Sequence, residues 1–196
     1  MLLLPAPDMM VYNSNKGGEQ TIGKVIEKPR TKGRIAKTIY FREPTADDGS
    51  HMFDLVIKSK VLDINSSYSY LMWGKYFYKT SIVAEKDGRI VGFISGFLQP
   101  DSPDTLFIWQ VAVDQTQRGK GLATALMMKL LKRLEHQNVR FIEATVTPTN
   151  IASNRLFKGL AKKLGTDYQT FECFGKDQFP DPSHEAEMAY RIGPLK

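Results

Sequence analysis

The 196-residue chain has one cysteine, Cys173, and three histidines. One thiol cannot close a disulfide within the chain, and it cannot build a cysteine-based zinc cluster. A reducing cytoplasm is therefore the expected location. No run of 18 apolar residues occurs, so no helical membrane span is expected. The apolar start, residues 1–10, is short, is broken by Pro5 and Pro7, and has no basic segment ahead of it, so it does not read as a signal peptide. Neither the Gly-x-Gly-x-x-Gly fingerprint nor a Walker-type phosphate loop occurs, which argues against dinucleotide and nucleoside-triphosphate sites of those kinds. Hydrophobic residues at 42% and charged residues at 24% are ordinary for a chain that folds around its own core.

The net charge is +6, and its location decides what it means. Residues 1–38 hold seven basic residues (Lys16, Lys24, Lys28, Arg30, Lys32, Arg34 and Lys37) against Asp8, Glu19 and Glu27, a net +4 that leaves only +2 for the rest. A polyanion-binding domain would place its excess on a folded face. Here the excess sits in a segment without sustained apolar periodicity. Residues 1–38 are read as a flexible basic leader and 39–196 as one domain, and neither nucleic acid nor membrane is an expected partner.

The segment at 38–44 reads as a strand stopped by Pro44, and 46–59 as a helix with acidic residues at its start. A polar and aromatic stretch follows at 63–77. Two β-rich runs, 80–85 and 89–97, flank Asp87-Gly88, a strong hairpin signal. After a turn at 99–104, the run 105–114 is nearly free of polar residues and reads as a central strand covered on both faces. Residues 119–138 form the clearest helix, with Leu122, Leu126, Leu130 and Leu134 on one stripe and Lys129, Lys132, Arg133 and Gln137 turned away. A strand at 139–148 alternates Phe141, Glu143, Thr145 and Thr147 against Ile142, Ala144 and Val146. A helix at 150–165 starts at Asn150 and stops at Gly165, and strands at 166–175 and 185–192 end the chain. The order β-α-β-β-β-α-β-α-β-β specifies an α/β (α+β) fold, a mixed sheet with helices packed on it.

The sharpest chemical signal lies at 109–127. A buried strand ends at Asp114, and Gln117-Arg118-Gly119-Lys120-Gly121 opens the leucine-rich helix. Two glycines let the backbone approach a ligand, and the N–H groups of Gly119, Lys120, Gly121, Leu122 and Ala123 are free donors at a helix N-terminus. Such an arrangement binds a phosphate or pyrophosphate, with Arg118 and Lys120 adding charge. Local physics alone leaves a second reading, a glycine turn with basic residues facing water.

The run Val-Ala-Val-Asp-x-x-x-Arg-Gly-Lys-Gly-Leu-Ala after a hydrophobic strand resembles the acetyl-CoA-binding motif of the GNAT N-acetyltransferases. Thr116 stands where that motif usually has Gln or Arg, while both glycines match. The order of elements from 39 to 192 is similar to that fold throughout. Within the superfamily, 62–70, 80–84, 92–114, 143–157 and 183–192 resemble the L-2,4-diaminobutyrate acetyltransferases, which make Nγ-acetyl-diaminobutyrate for the compatible solute ectoine. The resemblance implies a splayed sheet with acetyl-CoA in the gap, held by Val111, Ala112, Val113, Arg118, Gly119, Lys120, Gly121, Leu122, Ala123 and Asn150. It also implies a small diamine acceptor, no metal and a homodimer.

A doubly basic acceptor needs carboxylates, hydroxyls or an aromatic face. Asp63, Tyr68, Trp109, Thr147, His184 and Glu187 are the candidates for binding it. Asp63 or Glu187 is favoured as general base, with His184 also possible, and the amine could instead arrive already deprotonated. Glu143 could line the acceptor pocket or be a satisfied polar edge. Many GNAT enzymes carry a tyrosine that protonates the departing thiolate, but Phe157 occupies that place and cannot donate a proton. The alternatives are a GNAT enzyme for a polyamine, aminoglycoside or protein N-terminus, and a non-catalytic acyl-CoA-binding or nucleic-acid-binding module.

Overall fold

The computed structural model describes residues 10–12, 38–60 and 62–195. Apart from residues 10–12 and Thr38, the leader lies outside the described residues. Residues 10–12 form β1 (Met10–Tyr12), paired antiparallel with β2 (Ile39–Arg42). Then follow α1 (Gly49–Ser59), α2 (Ser67–Tyr76), β3 (Ile82–Lys86), β4 (Arg89–Gln99), β5 (Ser102–Val113), α3 (Leu122–Arg133), β6 (Phe141–Val146), α4 (Ile151–Leu164), β7 (Tyr168–Phe174) and β8 (Glu187–Ile192). They build one sheet in the order β1-β2-β3-β4-β5-β6-β8-β7, antiparallel except at the β5–β6 pair.

Two cores sandwich the sheet. Leu122, Leu126, Met127 and Leu130 of α3 join Phe157, Leu160 and Ala161 of α4 against one face. Met52, Leu55 and Val56 of α1 join Tyr70 and Trp73 of α2 against the other, with Val83, Phe93 and Ala112 beneath them.

The second helix, α2, departs from the sequence reading, which left 63–77 without an element. Its alternation of Ser and Tyr gives no strong apolar stripe, yet Ser66 caps it by accepting from the Tyr68 N–H at 3.3 Å. Only Tyr70, Trp73 and Gly74 are buried along it. Arg133 also departs from expectation. It turns back, and its guanidinium donates to the carbonyls of Lys79 (2.9 Å) and Ser81 (2.5 Å), joining α3 to the approach of β3. The turn expected at 99–104 is shorter, because β5 begins at Ser102.

Two features of β5 shape the site. First, β5 and β6 pair only through Thr105–Phe141, Leu106–Ile142 and Phe107–Glu143. Beyond Phe107 they diverge, which opens the sheet. Second, Ser95 of β4 pairs with Gln110 while its neighbour Gly96 pairs with Ile108, so Trp109 is an extra residue in a β-bulge. The bulge reverses the alternation along β5. Leu106 and Ile108 pack with α3 and α4, and past the bulge the odd-numbered Val111 and Val113 take that side while Ala112 packs with α1 and α2. Coverage on both faces, expected of this strand, is therefore interrupted at Trp109, which is 48% exposed.

Candidate active site

The opening between β5 and β6 continues into a cleft of about 790 Å³. Val111, Ala112 and Val113 form one wall, the loop before α3 a second, and Thr147 to Leu156 around the start of α4 a third. Of the ten residues expected to hold acetyl-CoA, nine line this cleft, Arg118, Gly119, Gly121, Leu122, Ala123 and Asn150 among them.

The loop geometry fits a bound polyanion. Gly119 and Gly121 have φ of +72° and +76°, a conformation that only glycine adopts cheaply, and a Cβ built on either meets nothing within 4 Å. A side chain there would project into free space that a ligand can fill. The Asp114 carboxylate pins the loop's start, accepting from the Thr116 N–H at 2.8 Å and its hydroxyl at 2.6 Å. These bonds hold Asp114 below the usual carboxylate range. Thr116 thus braces the turn from within. Arg118 donates to the Val113 carbonyl at 3.2 Å. Lys120 is the exception among the ten. Its ammonium donates to the Thr116 carbonyl at 2.6 Å, and the residue does not line the cleft. On the far wall Asn150 caps α4 by accepting from the Ser153 N–H at 3.1 Å. Gln117, Thr124, Thr149, Ser153 and Arg155 also line the cleft and were not singled out from sequence. Helical spacing from Asn150 reaches Ser153, but nothing in the sequence alone says that α4 turns Ser153 and Arg155 toward the opening.

The acceptor candidates come from three distant stretches, and three of them converge. The side chains of Asp63, His184 and Glu187 present polar atoms all within 4.8 Å of one another. Asp63 is exposed on the connection between α1 and α2, while His184 and Glu187 are half-buried where the chain enters β8. His184 stacks flat on Phe179, with ring centroids 3.7 Å apart, and its Nδ1 lies 2.6 Å from the Glu185 carbonyl oxygen. Burial, together with the nearby carboxylates of Asp63 and Glu185, pushes the Glu187 carboxyl above its ordinary value; a hydrogen bond with Thr145 and the neighbouring His184 only partly oppose the shift. Leu62, next to Asp63, and Thr147, two residues beyond Thr145, both line the cleft, so the cluster borders it. Thr149 reaches the same region by donating its hydroxyl to the Glu185 carboxylate.

Residues 49–161 match the acetyltransferase (GNAT) family, which is more than half of the chain. The chain is 49% identical over 165 residues to the L-2,4-diaminobutyric acid acetyltransferase of Marinococcus halophilus, covering 84% of this chain and 95% of that one. The chain belongs to the GNAT acetyltransferase family. Its structure is similar to that of the diaminobutyrate acetyltransferase EctA from Paenibacillus lautus, solved in complex with its substrate L-2,4-diaminobutyric acid and coenzyme A. The TM-score is 0.77 at 42% identity, over 81% of this chain and 96% of that one. The ribosomal-protein-S18-alanine N-acetyltransferase of Escherichia coli shares the fold alone, with a TM-score of 0.63 at 15% identity over 81% and 95% of the two chains. The mixed, splayed sheet of the GNAT fold is thus the architecture expected from the sequence.

The remaining candidates are placed separately. Trp109 packs against Trp73 of α2, with ring centroids 6.2 Å apart. Tyr68 is 65% exposed in the first turn of α2. Glu143 takes the structural reading: its carboxylate accepts from Gln99 at 2.9 Å and from Arg191 at 3.0 Å. Among the described residues no helix is long and apolar enough to cross a membrane.

Proposed function

We propose that this GNAT acetyltransferase moves the acetyl group of acetyl-CoA to the γ-amino group of L-2,4-diaminobutyrate, giving Nγ-acetyl-diaminobutyrate for ectoine synthesis. The observation that carries this reading is the convergence of Asp63, His184 and Glu187 at the wall of the cleft, in a chain so similar to enzymes named for that acceptor.

Acetyl-CoA lies in the cleft with its pyrophosphate on the glycine loop and its thioester in the gap between β5 and β6. Past Phe107 no strand among the described residues pairs with β5 on the β6 side, which leaves an N–H among Val111–Val113 free to bond the thioester carbonyl and its developing negative charge. Asp63 and Glu187 hold the cationic diamine, with Trp109, Tyr68 and Thr147 around it. Glu187, whose burial raises its affinity for a proton, takes one from the γ-ammonium directly or through water. The amine nitrogen then attacks the thioester carbon, the adduct breaks its C–S bond to expel the thiolate of CoA, and the second proton leaves the nitrogen for the thiolate or for water. A thiolate is a fair leaving group and needs no strong acid, which suits a site with Phe157 where many GNAT enzymes carry tyrosine.

The test is thiol release from acetyl-CoA. It should require L-2,4-diaminobutyrate and stay at background with putrescine or an aminoglycoside; turnover of those amines instead would move the acceptor to the runner-up class. The domain boundary, the cytoplasmic location and the homodimer belong to the same proposal. Deleting residues 1–38 should leave activity within about twofold, and light scattering should give twice the chain mass.

A further inference from the structure

We propose that Gln110 is a positioning residue, which holds the Asp63 segment against the sheet and so sets the place of the diamine. The proposal rests on the acceptor reading above. Gln110 is buried, at 8% exposure, in the middle of β5. Its amide is spent in two directions. Oε1 accepts from the hydroxyl of Tyr70 at 3.0 Å, and Nε2 donates to the backbone carbonyl of Asp63 at 2.9 Å. Tyr70 is fully buried on α2, wedged between Phe53 and Phe93. The phenol can serve as donor only if Oε1 faces it, and this orientation leaves Nε2 toward Asp63. The chain Tyr70–Gln110–Asp63 therefore runs from a rigid core to an exposed acid. Among the described residues no other hydrogen bond holds residues 62–65. Asp63 lies three residues before the Ser66 cap of α2, between Leu62, which packs on the α1–α2 core, and Ile64, which is 63% exposed. The bulge at Trp109 makes this possible, since it rotates Gln110 to the α2 side of the sheet.

The experiment compares Gln110→Met, which keeps length and loses both bonds, with Gln110→Glu and Asp63→Asn. Calorimetric titration with CoA and steady-state kinetics with L-2,4-diaminobutyrate are run on each. Gln110→Met should raise KM for the diamine about tenfold, with kcat changed less and CoA affinity within about twofold. Gln110→Glu keeps the acceptor for Tyr70 but faces the Asp63 carbonyl with an oxygen, so it should show the same split. In the double variant with Asp63→Asn the losses should be less than additive. If Asp63→Asn impairs turnover while both Gln110 variants keep a normal KM, the positioning role is overturned. If Asp63→Asn itself is normal, the acceptor reading fails instead. A merely structural Gln110 would lower CoA affinity and raise the diamine KM together, which also overturns the proposal. Should Gln110→Met not fold, Gln110→Glu and Tyr70→Phe carry the test, and a normal diamine KM in both overturns it.

Discussion

The ring of Phe157 stacks on the ring of Tyr190, with centroids 5.9 Å apart and planes 26° from parallel. Phe157 is 3% exposed and belongs to the core under α4, while the Tyr190 hydroxyl is engaged with Asn154 Oδ1 at 2.5 Å. The position is thus a packing position in this chain.

Phe157→Tyr should therefore bring no rate gain. The added hydroxyl enters an apolar layer, and leaving it unpaired should cost roughly 1–3 kcal/mol of stability. Thermal unfolding and kcat of the variant check both halves; a higher kcat would show that the hydroxyl reaches the sulfur of CoA.

Gly119→Val and Gly121→Val should each abolish measurable CoA binding without unfolding the domain. A β-branched residue at φ near +75° strains the loop, and its side chain projects into the open cleft. Circular dichroism and CoA titration decide it, and unchanged affinity would remove the pyrophosphate from this loop.

Asp63→Ala, Trp109→Ala and Glu187→Ala should impair diaminobutyrate turnover far more than CoA binding. Loss of a charge-assisted contact of roughly 1.5–3 kcal/mol corresponds to about a 10- to 150-fold fall in kcat/KM. Glu187 must be ionised to act as base, and its proton affinity is raised by burial. The acid limb of the rate profile should accordingly lie above the ordinary carboxylate value, and Glu187→Gln should remove it. Wild-type pH profiles in that variant would pass the role to Asp63 or His184.

Asp48 offers a stability test away from the site. Burial works to raise its proton affinity, but a bidentate pair with Arg42 at 2.7 and 2.8 Å and a bond from the Thr45 N–H at 2.7 Å outweigh it, so the carboxyl ends below its ordinary value. A carboxylate lowered in the folded state contributes stability above its unfolded value, and that contribution fades as pH falls through the lower, folded one. Asp48→Ala should cost about 3 kcal/mol at neutral pH and less in strong acid, as read from denaturant midpoints across pH.

Gly74→Ala should be among the most damaging small changes. A Cβ on Gly74 would come within 2.1 Å of the Thr45 carbonyl oxygen, and that neighbour is backbone. A drop of several degrees in Tm is expected; an unchanged Tm would mean that α2 can move away at no cost.

Periodicity made most of this fold legible. The stripe of α3, the Asp87-Gly88 hairpin and the Asn150 and Gly165 caps all lie where the residue pattern places them. Helix α2 escaped because its buried side is only two aromatics and a glycine, which no window of polarity reveals. The bulge escaped because one extra residue in an apolar run leaves no compositional trace. Asp63, His184 and Glu187 were each legible as residue types without a packing task, but their meeting depends on β8 lying beside β6, a long-range pairing that spacing does not encode. Lys120, a basic residue between two glycines, reads in the sequence as a ligand contact; its ammonium reaches a carbonyl of its own turn, a local bond that residue type does not encode.

The unpaired Trp109 is an insertion that the bulge absorbs. Without it, Ile108 would stand next to Gln110 in an unbroken period of two, with Val111 and Val113 still beside α3 and α4 and Ala112 still beside α1 and α2. Straightening the kink with Trp109 kept would instead send every later side chain of the strand to the opposite side. Val111 and Val113 would press on the first two helices, and Gln110 and Ala112 would face the gap between β5 and β6. The kink at one residue thus keeps both walls in place at once, where most substitutions in the strand disturb one of them.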